Sequence, residues 1–215
     1  MKSLGAVLVG AERVLRLSLA LLLAGAAVPA AAALAGAQDG VRGFYGVLLQ
    51  TMQNARALGE SGRYAQLSPA VHRVFDVPFM ARLAVGPAWD GFTPDQRQQV
   101  TQAFGRYVTA TYADRFDSYS GERLEVTGER PYGGGAIVDT RIVKSGSDPV
   151  EIDYLMRRNQ GVWQIDDVYL DGTISQLATQ RSEFQSILRR QGVDGLISAL
   201  NRKVDLLTRS VARSR

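Results

Sequence analysis

By type, Asp166 and Asp167 are the residues of this 215-residue sequence best suited to moving a proton, but their adjacency argues against a catalytic pair. Neighbours in a strand point to opposite faces, so the two carboxylates cannot meet over one substrate. Asp167 has the parity of Trp163, Ile165 and Tyr169, and an apolar setting there would raise its carboxyl toward general-base range. The alternative is an aspartate hydrogen-bonded to a nearby amide or to an arginine such as Arg141. His72 is the single histidine, is followed by Arg73 on a short helical stretch, and has no partner at metal-ligand spacing. Gly133-Gly134-Gly135 falls in a hairpin rather than between a strand and a helix, which excludes a phosphate loop. With no cysteine, thiolate metal sites, iron–sulfur ligation, disulfides and a cysteine nucleophile are excluded as well. No reaction is specified by these residues.

Composition narrows the class further. Hydrophobic residues make up 46% of the chain and charged residues 21%, enough apolar material for a packed core rather than a disordered chain. Residues 1–37 read as a cleaved secretory leader. Lys2, Arg13 and Arg16 precede an apolar run from Leu17 to Val28, and small residues ending Ala35-Gly36-Ala37 match an A-x-A cleavage site. The run is shorter than the roughly 20 residues of a membrane span. A single domain is expected over 38–208, followed by a basic flexible tail over 209–215. From residue 181 onward there are 8 basic and 3 acidic residues, whereas 38–180 is mildly acidic. The basic end reads either as a solvated helix face or as a contact for anionic lipid head groups.

Three blocks follow the leader. In the first, Phe44, Val47, Leu48, Met52 and Ala55 recur at helical spacing, and Gly59-Glu60-Ser61-Gly62 breaks the pattern. Short helices are expected around Leu67–Phe75 and after Pro78. Thr93-Pro94-Asp95-Gln96 is a capping box with proline in the first turn, opening a helix to about Asp117. The second block changes period to two, and four antiparallel strands are expected over Arg123–Glu129, Ala136–Lys144, Val150–Arg158 and Val162–Leu170. The last has apolar residues on both faces, as a strand covered twice or bordering a cavity would. The third block holds two helices separated at Gly192. Helices, sheet and helices define an α+β fold: N-terminal helices, a four-stranded antiparallel sheet, and C-terminal helices packed on it.

Several segments, in order, resemble a known family. Phe75-Asp76-Val77-Pro78-Phe79-Met80-Ala81-Arg82-Leu83-Ala84-Val85-Gly86, Trp89, Thr93-Pro94-Asp95-Gln96-Arg97, Thr140-Arg141-Ile142-Val143, Trp163-Gln164-Ile165-Asp166-Asp167-Val168 and Arg181-Ser182-Glu183-Phe184 are similar to the MlaC (toluene-tolerance) family of periplasmic phospholipid-binding proteins. The likeness runs from about residue 42 to 204. Where most of that family reads Gly-Val-Ser-Leu-x-x-Asn-Tyr-Arg, this chain has Gly172-Thr173-Ile174-Ser175-Gln176-Leu177-Ala178-Thr179-Gln180-Arg181, one residue longer and without the tyrosine. That departure resembles the hopanoid-associated, HpnM-like branch.

The resemblance implies a periplasmic, monomeric, non-enzymatic lipid carrier between inner and outer membranes, with phospholipid or hopanoid as cargo and no cofactor or metal. Its implied partners are an inner-membrane ABC lipid-transport complex, an outer-membrane lipoprotein–porin complex and transient membrane surfaces. Acyl chains would sit between sheet and helices in an apolar cavity lined by Phe79, Leu83, Phe104, Tyr107, Val108, Ile142, Ile152, Tyr154, Trp163, Ile165, Tyr169, Ile174 and Leu177. Two alternatives stand beside it: a small-molecule enzyme of the ketosteroid-isomerase type using Asp167 as base, and an envelope adaptor without ligand.

Overall fold

The computed structural model describes residues 30–209, with side chains over 36–208. The expected leader therefore lies outside the described residues except for 30–37, and the tail does so beyond residue 209. Helix α1 spans Ala30–Gln53. Ala37 is fully buried within it, and a Cβ on Gly36 would stand 2.9 Å from Trp163 Cδ1, so these last residues of the expected leader pack against the sheet. Helix α2, Ala55–Val74, bends at Gly59, whose φ of 60° is open to glycine. The Gly59–Gly62 signal thus marks a kink within continuous helical chain.

Helix α3, Val77–Val85, starts where the Asp76 carboxylate accepts from the Phe79 amide at 3.1 Å. A 3-10 turn over Gly86–Gly91 leads to α4, Pro94–Arg115. The capping box forms as the sequence predicts: Gln96 N donates to Thr93 Oγ1 at 3.2 Å and Thr93 N to Gln96 Oε1 at 2.9 Å. Helix α5, Gln176–Arg209, is two helical segments meeting at Gly192, where φ is 62°.

The strands are β1 (Arg123–Tyr132), β2 (Gly135–Val143), β3 (Val150–Asn159), β4 (Val162–Leu170) and β5 (Ile174–Ser175), antiparallel and in that order. The sheet therefore has five strands where four were expected. Asp171 and Gly172 both take positive φ, turning the chain so that Leu170 pairs with Ile174 and Tyr169 with Ser175. Two residues are too few for an alternating pattern to reveal.

A bulge in β4 also corrects the expected sharing of faces. Met156 pairs with Ile165 but Leu155 pairs with Asp167, leaving Asp166 as the extra residue. Beyond the bulge the parity reverses: Val168 and Leu170 take up the face of Tyr154 and Ile152, while Asp167 and Tyr169 turn to the other. The two apolar faces read from sequence are one face interrupted by a bulge.

Ile152, Tyr154 and Met156 are buried on the helical side of the sheet. Phe44 of α1 meets Phe75 and Tyr112 edge-on at 5.4 and 5.1 Å, joining sheet, α2 and α4 into one core. The opposite face is polar, with ion pairs Arg130–Asp139 at 3.2 Å and Arg141–Glu125 at 2.7 Å.

Candidate functional site

Between α4, the start of α5 and one end of the sheet lies a cavity of about 610 Å³. Its floor is apolar and buried, formed by Met52, Phe75, Met80, Phe104, Val108, Ile152 and Leu177. Its rim is polar and exposed, with Arg115, Ser118, Lys144, Ser147, Asp148 and Asp171 around the opening. The gradient follows from placement. Floor residues sit mid-helix or mid-strand where elements pack, and rim residues sit where α4, β2 and β4 end.

The rim's electrostatics are fixed by local hydrogen bonds. Both Glu122 oxygens are held by Ser120, through its amide at 2.6 Å and its hydroxyl at 2.7 Å, which pull the Glu122 carboxyl down to about 2. Lys144 lies 3.4 Å from this permanent anion. Arg115, Asp148 and Asp171 form no ion pair among the described residues. Gln180 Oε1, in the wall beside them, is buried without a hydrogen-bond partner.

Of the residues the sequence singles out, Phe104, Tyr107, Val108, Ile142, Ile152 and Leu177 line this cavity. The other seven lie elsewhere. Tyr154 and Ile165 are fully buried in the core, and Tyr169 is turned away by the bulge. Trp163 lies under Arg158, Leu83 and Ile174 are exposed, and Phe79 lines a second cleft. The sequence reading missed Val168 and Leu170, whose Ile165-to-Val168 spacing of three within a period-two strand is the signal for a bulge. It also missed Met52, Phe75, Met80 and Tyr112, which carry only the ordinary core periodicity.

Asp167 borders neither opening; its carboxylate accepts from Val168 N, Leu177 N and the Ser175 hydroxyl. These partners are amides and a hydroxyl, whereas Arg141 is paired with Glu125. His72 Nδ1 lies 2.8 Å from the Ser68 carbonyl. Among the described residues no cluster of acidic or histidine side chains is arranged to hold a metal.

The second cleft, about 470 Å³, is lined by Asp76, Phe79, Arg82, Trp89, Arg157 and Asp166. Asp166 is the bulged residue, buried and 3.1 Å from Arg157 Nε. Burial raises its carboxyl to about 6, with Arg157 opposing and Asp76 and Asp167 adding to the rise. A carboxyl whose folded-state pKa is raised stabilises the fold below its unfolded value near 4, and that stability is lost as pH climbs through 6. The unfolding free energies of the wild type and Asp166→Asn should therefore diverge between pH 4 and 7. The variant gains relative stability at pH 7 by up to about 3 kcal/mol, from 1.36 kcal/mol per unit. Urea unfolding across that range measures it, and a difference independent of pH would refute it.

An apolar cavity with a charged rim, set between an antiparallel sheet and helices in an α+β fold, has the shape and polarity of a site for an amphiphile-sized molecule. The chain belongs to the MlaC family: residues 45–202 match the family model described as MlaC protein. It is similar to the intermembrane phospholipid transport system binding protein MlaC of Haemophilus influenzae, with 24% identity over 121 residues, 54% of this chain and 56% of that protein. It thus spans little more than half the length of that curated relative. In fold it is similar to the phospholipid-binding protein of Ralstonia solanacearum, solved in complex with a phospholipid. The TM-score is 0.70 at 21% identity, covering 80% of this chain and 98% of that one.

Proposed function

We propose that the chain is a lipid carrier that takes the acyl part of a phospholipid into the cavity and leaves the headgroup at the rim. The carrying observation is the gradient from the buried floor, with Phe75, Met80 and Phe104, to the exposed rim, with Arg115, Lys144 and Asp148, which parallels the polarity of an amphiphile. The phospholipid transport role of the Haemophilus influenzae protein and the phospholipid bound to the Ralstonia solanacearum protein support the same cargo. Exposing two acyl chains of about 30 methylenes to water costs on the order of 24 kcal/mol, so unaided transfer across an aqueous gap is very slow. A carrier that matches the burial in a bilayer makes transfer nearly neutral and requires no chemistry.

The cavity's size bounds what it encloses. If a methylene takes the ~30 Å³ of a water molecule, 610 Å³ accommodates about twenty, one long chain and part of a second. The remainder of a second chain lies along the opening beside Val150 and Phe116.

The same reading includes a cleaved leader over 1–37, one lipid-binding domain over 38–208, and a periplasmic location. It also includes lipid exchange with an inner-membrane ABC transport complex and an outer-membrane lipoprotein–porin complex. Among the described residues no helix is long and apolar enough to cross a membrane. The lengthened Gly172–Arg181 segment, which contributes Gln176, Leu177 and Gln180 to the wall, supports a position near the hopanoid-associated branch, with a hopanoid as the alternative cargo.

The test is mass spectrometry of organic extracts from the full chain expressed with its leader and purified without detergent, alongside native mass spectrometry. A stoichiometric phospholipid is the expected result; a stoichiometric hopanoid would transfer the assignment to the other cargo. A folded protein that is empty and takes up no lipid from vesicles would overturn the carrier reading.

A further inference from the structure

The cavity lining carries both signs of charge. Arg115 projects from the last turn of α4 as an exposed cation without an ion-pair partner among the described residues. Lys144, just beyond β2, is held beside the cavity by Glu122, which Ser120 anchors through both oxygens. Asp148, in the β2–β3 loop, and Asp171, after β4, are exposed carboxylates with no ion pair among the described residues. All five charged residues line this cavity, and together they sum to one negative.

From this juxtaposition we infer that the rim selects a zwitterionic headgroup, a phosphate diester carrying a primary amine: Arg115 and Lys144 take the phosphate, and Asp148 and Asp171 take the ammonium. The inference rests on the lipid-carrier reading and adds to it the headgroup class. A phosphate beside Lys144 and Arg115 gains charge-assisted hydrogen bonds, bidentate in the case of the guanidinium. An amine beside two carboxylates gains the reverse. A headgroup with phosphate but no amine leaves both aspartates uncompensated beside an added negative charge. An uncharged polar headgroup engages neither set. Each of these contacts is exposed and individually weak, so the expected selectivity is several-fold rather than absolute.

The experiment loads the lipid-stripped full chain from vesicles of phosphatidylethanolamine or of phosphatidylglycerol, and with a non-ionic single-chain fluorescent alcohol, reading occupancy by native mass spectrometry. Phosphatidylethanolamine is expected to exceed phosphatidylglycerol about fivefold. The variant Arg115→Glu combined with Lys144→Gln should lower the ratio of phosphatidylethanolamine to non-ionic probe about tenfold, and Asp148→Asn with Asp171→Asn should abolish the preference over phosphatidylglycerol. Soluble glycerophosphoethanolamine, the same headgroup without chains, should bind at least a hundredfold more weakly; equal binding would mark a site for free phosphoesters and overturn the assignment. Equal loading of the two lipids by the wild type, or an unchanged ratio in the Arg115 and Lys144 variant, would also overturn it. If the wild type takes up neither phospholipid nor the non-ionic probe, the carrier reading itself fails, and the headgroup assignment with it.

Discussion

Substituting tryptophan for Val108 is expected to reduce bound lipid at least tenfold while the protein still folds. Val108 lies on the α4 wall of the cavity, buried but facing open volume shared with Ile142, Ile152, Val168 and Leu170 of the sheet. The indole adds about seven heavy atoms, and the ring would occupy part of the 610 Å³ that the acyl chains need. Enlarging a side chain usually strains a core because close-packed neighbours cannot yield. At Val108 the added ring enters space already present, so the stability loss should stay within about 1–2 kcal/mol. Tyr154→Trp is the informative contrast. Tyr154 is fully buried, its ring 5.9 Å from that of Tyr45, and it does not line the cavity. Enlarging it should destabilise the fold by a larger margin, about 1–3 kcal/mol, with only indirect effects on lipid. Native mass spectrometry and thermal unfolding of both variants separate the two cases. A folded Val108→Trp protein carrying wild-type amounts of lipid would show that the cavity is not where the chains reside.

The contrast between these two residues also marks how far the sequence could be read. Helix starts were legible because they are local: Thr93 and Gln96 reciprocate within one turn, and Pro94 fixes the backbone there. The kinks at Gly59 and Gly192 were legible as interruptions for the same reason. Strand parity was not, because it depends on pairing. The extra residue at Asp166 is defined only by Leu155 and Met156 across the ladder, and it moved Tyr169 away from the cavity and Val168 and Leu170 into it. Tyr154 and Val108 look alike in sequence, since each is an apolar residue on the inward face of its element. Only the packing of α1 over the middle of the sheet makes one core and leaves the other beside a void. The rim was the least legible part. Arg115, Glu122, Lys144, Asp148 and Asp171 come from four separate segments, and scattered charges have no periodicity to betray that they line one cavity.

Asp167→Ala is expected to cost about 3 kcal/mol, the upper end of what leaving a buried hydrogen-bonding group unpaired costs, and a large share of the roughly 5–15 kcal/mol typical of a folded domain. One carboxylate oxygen accepts from Val168 N at 2.7 Å and from Leu177 N at 3.1 Å, and the other accepts from the Ser175 hydroxyl. Ser175 Oγ in turn accepts from Ala178 N at 2.9 Å. A single side chain thus ties β4, β5 and the first turn of α5 together, and its charge faces the unpaired amides that begin a helix. Alanine would leave the buried Leu177 amide without an acceptor, and hydrogen bonds to a charged group are worth more than neutral ones. Asp167→Asn keeps one acceptor oxygen and should cost less, about 1–2 kcal/mol. The cavity should respond too, because Gln176, Leu177 and Gln180 of its wall stand on the helical turn that Asp167 anchors. Lipid occupancy is therefore expected to fall in Asp167→Ala even at temperatures where the protein remains folded, and to recover largely in Asp167→Asn. A proton-transferring base would behave in the opposite way, since alanine and asparagine would then be equally disabling while stability changed little. Urea unfolding together with lipid loading of both variants makes the measurement, and an Asp167→Ala protein within about 1 kcal/mol of wild type would show that this network does not hold the helix in place.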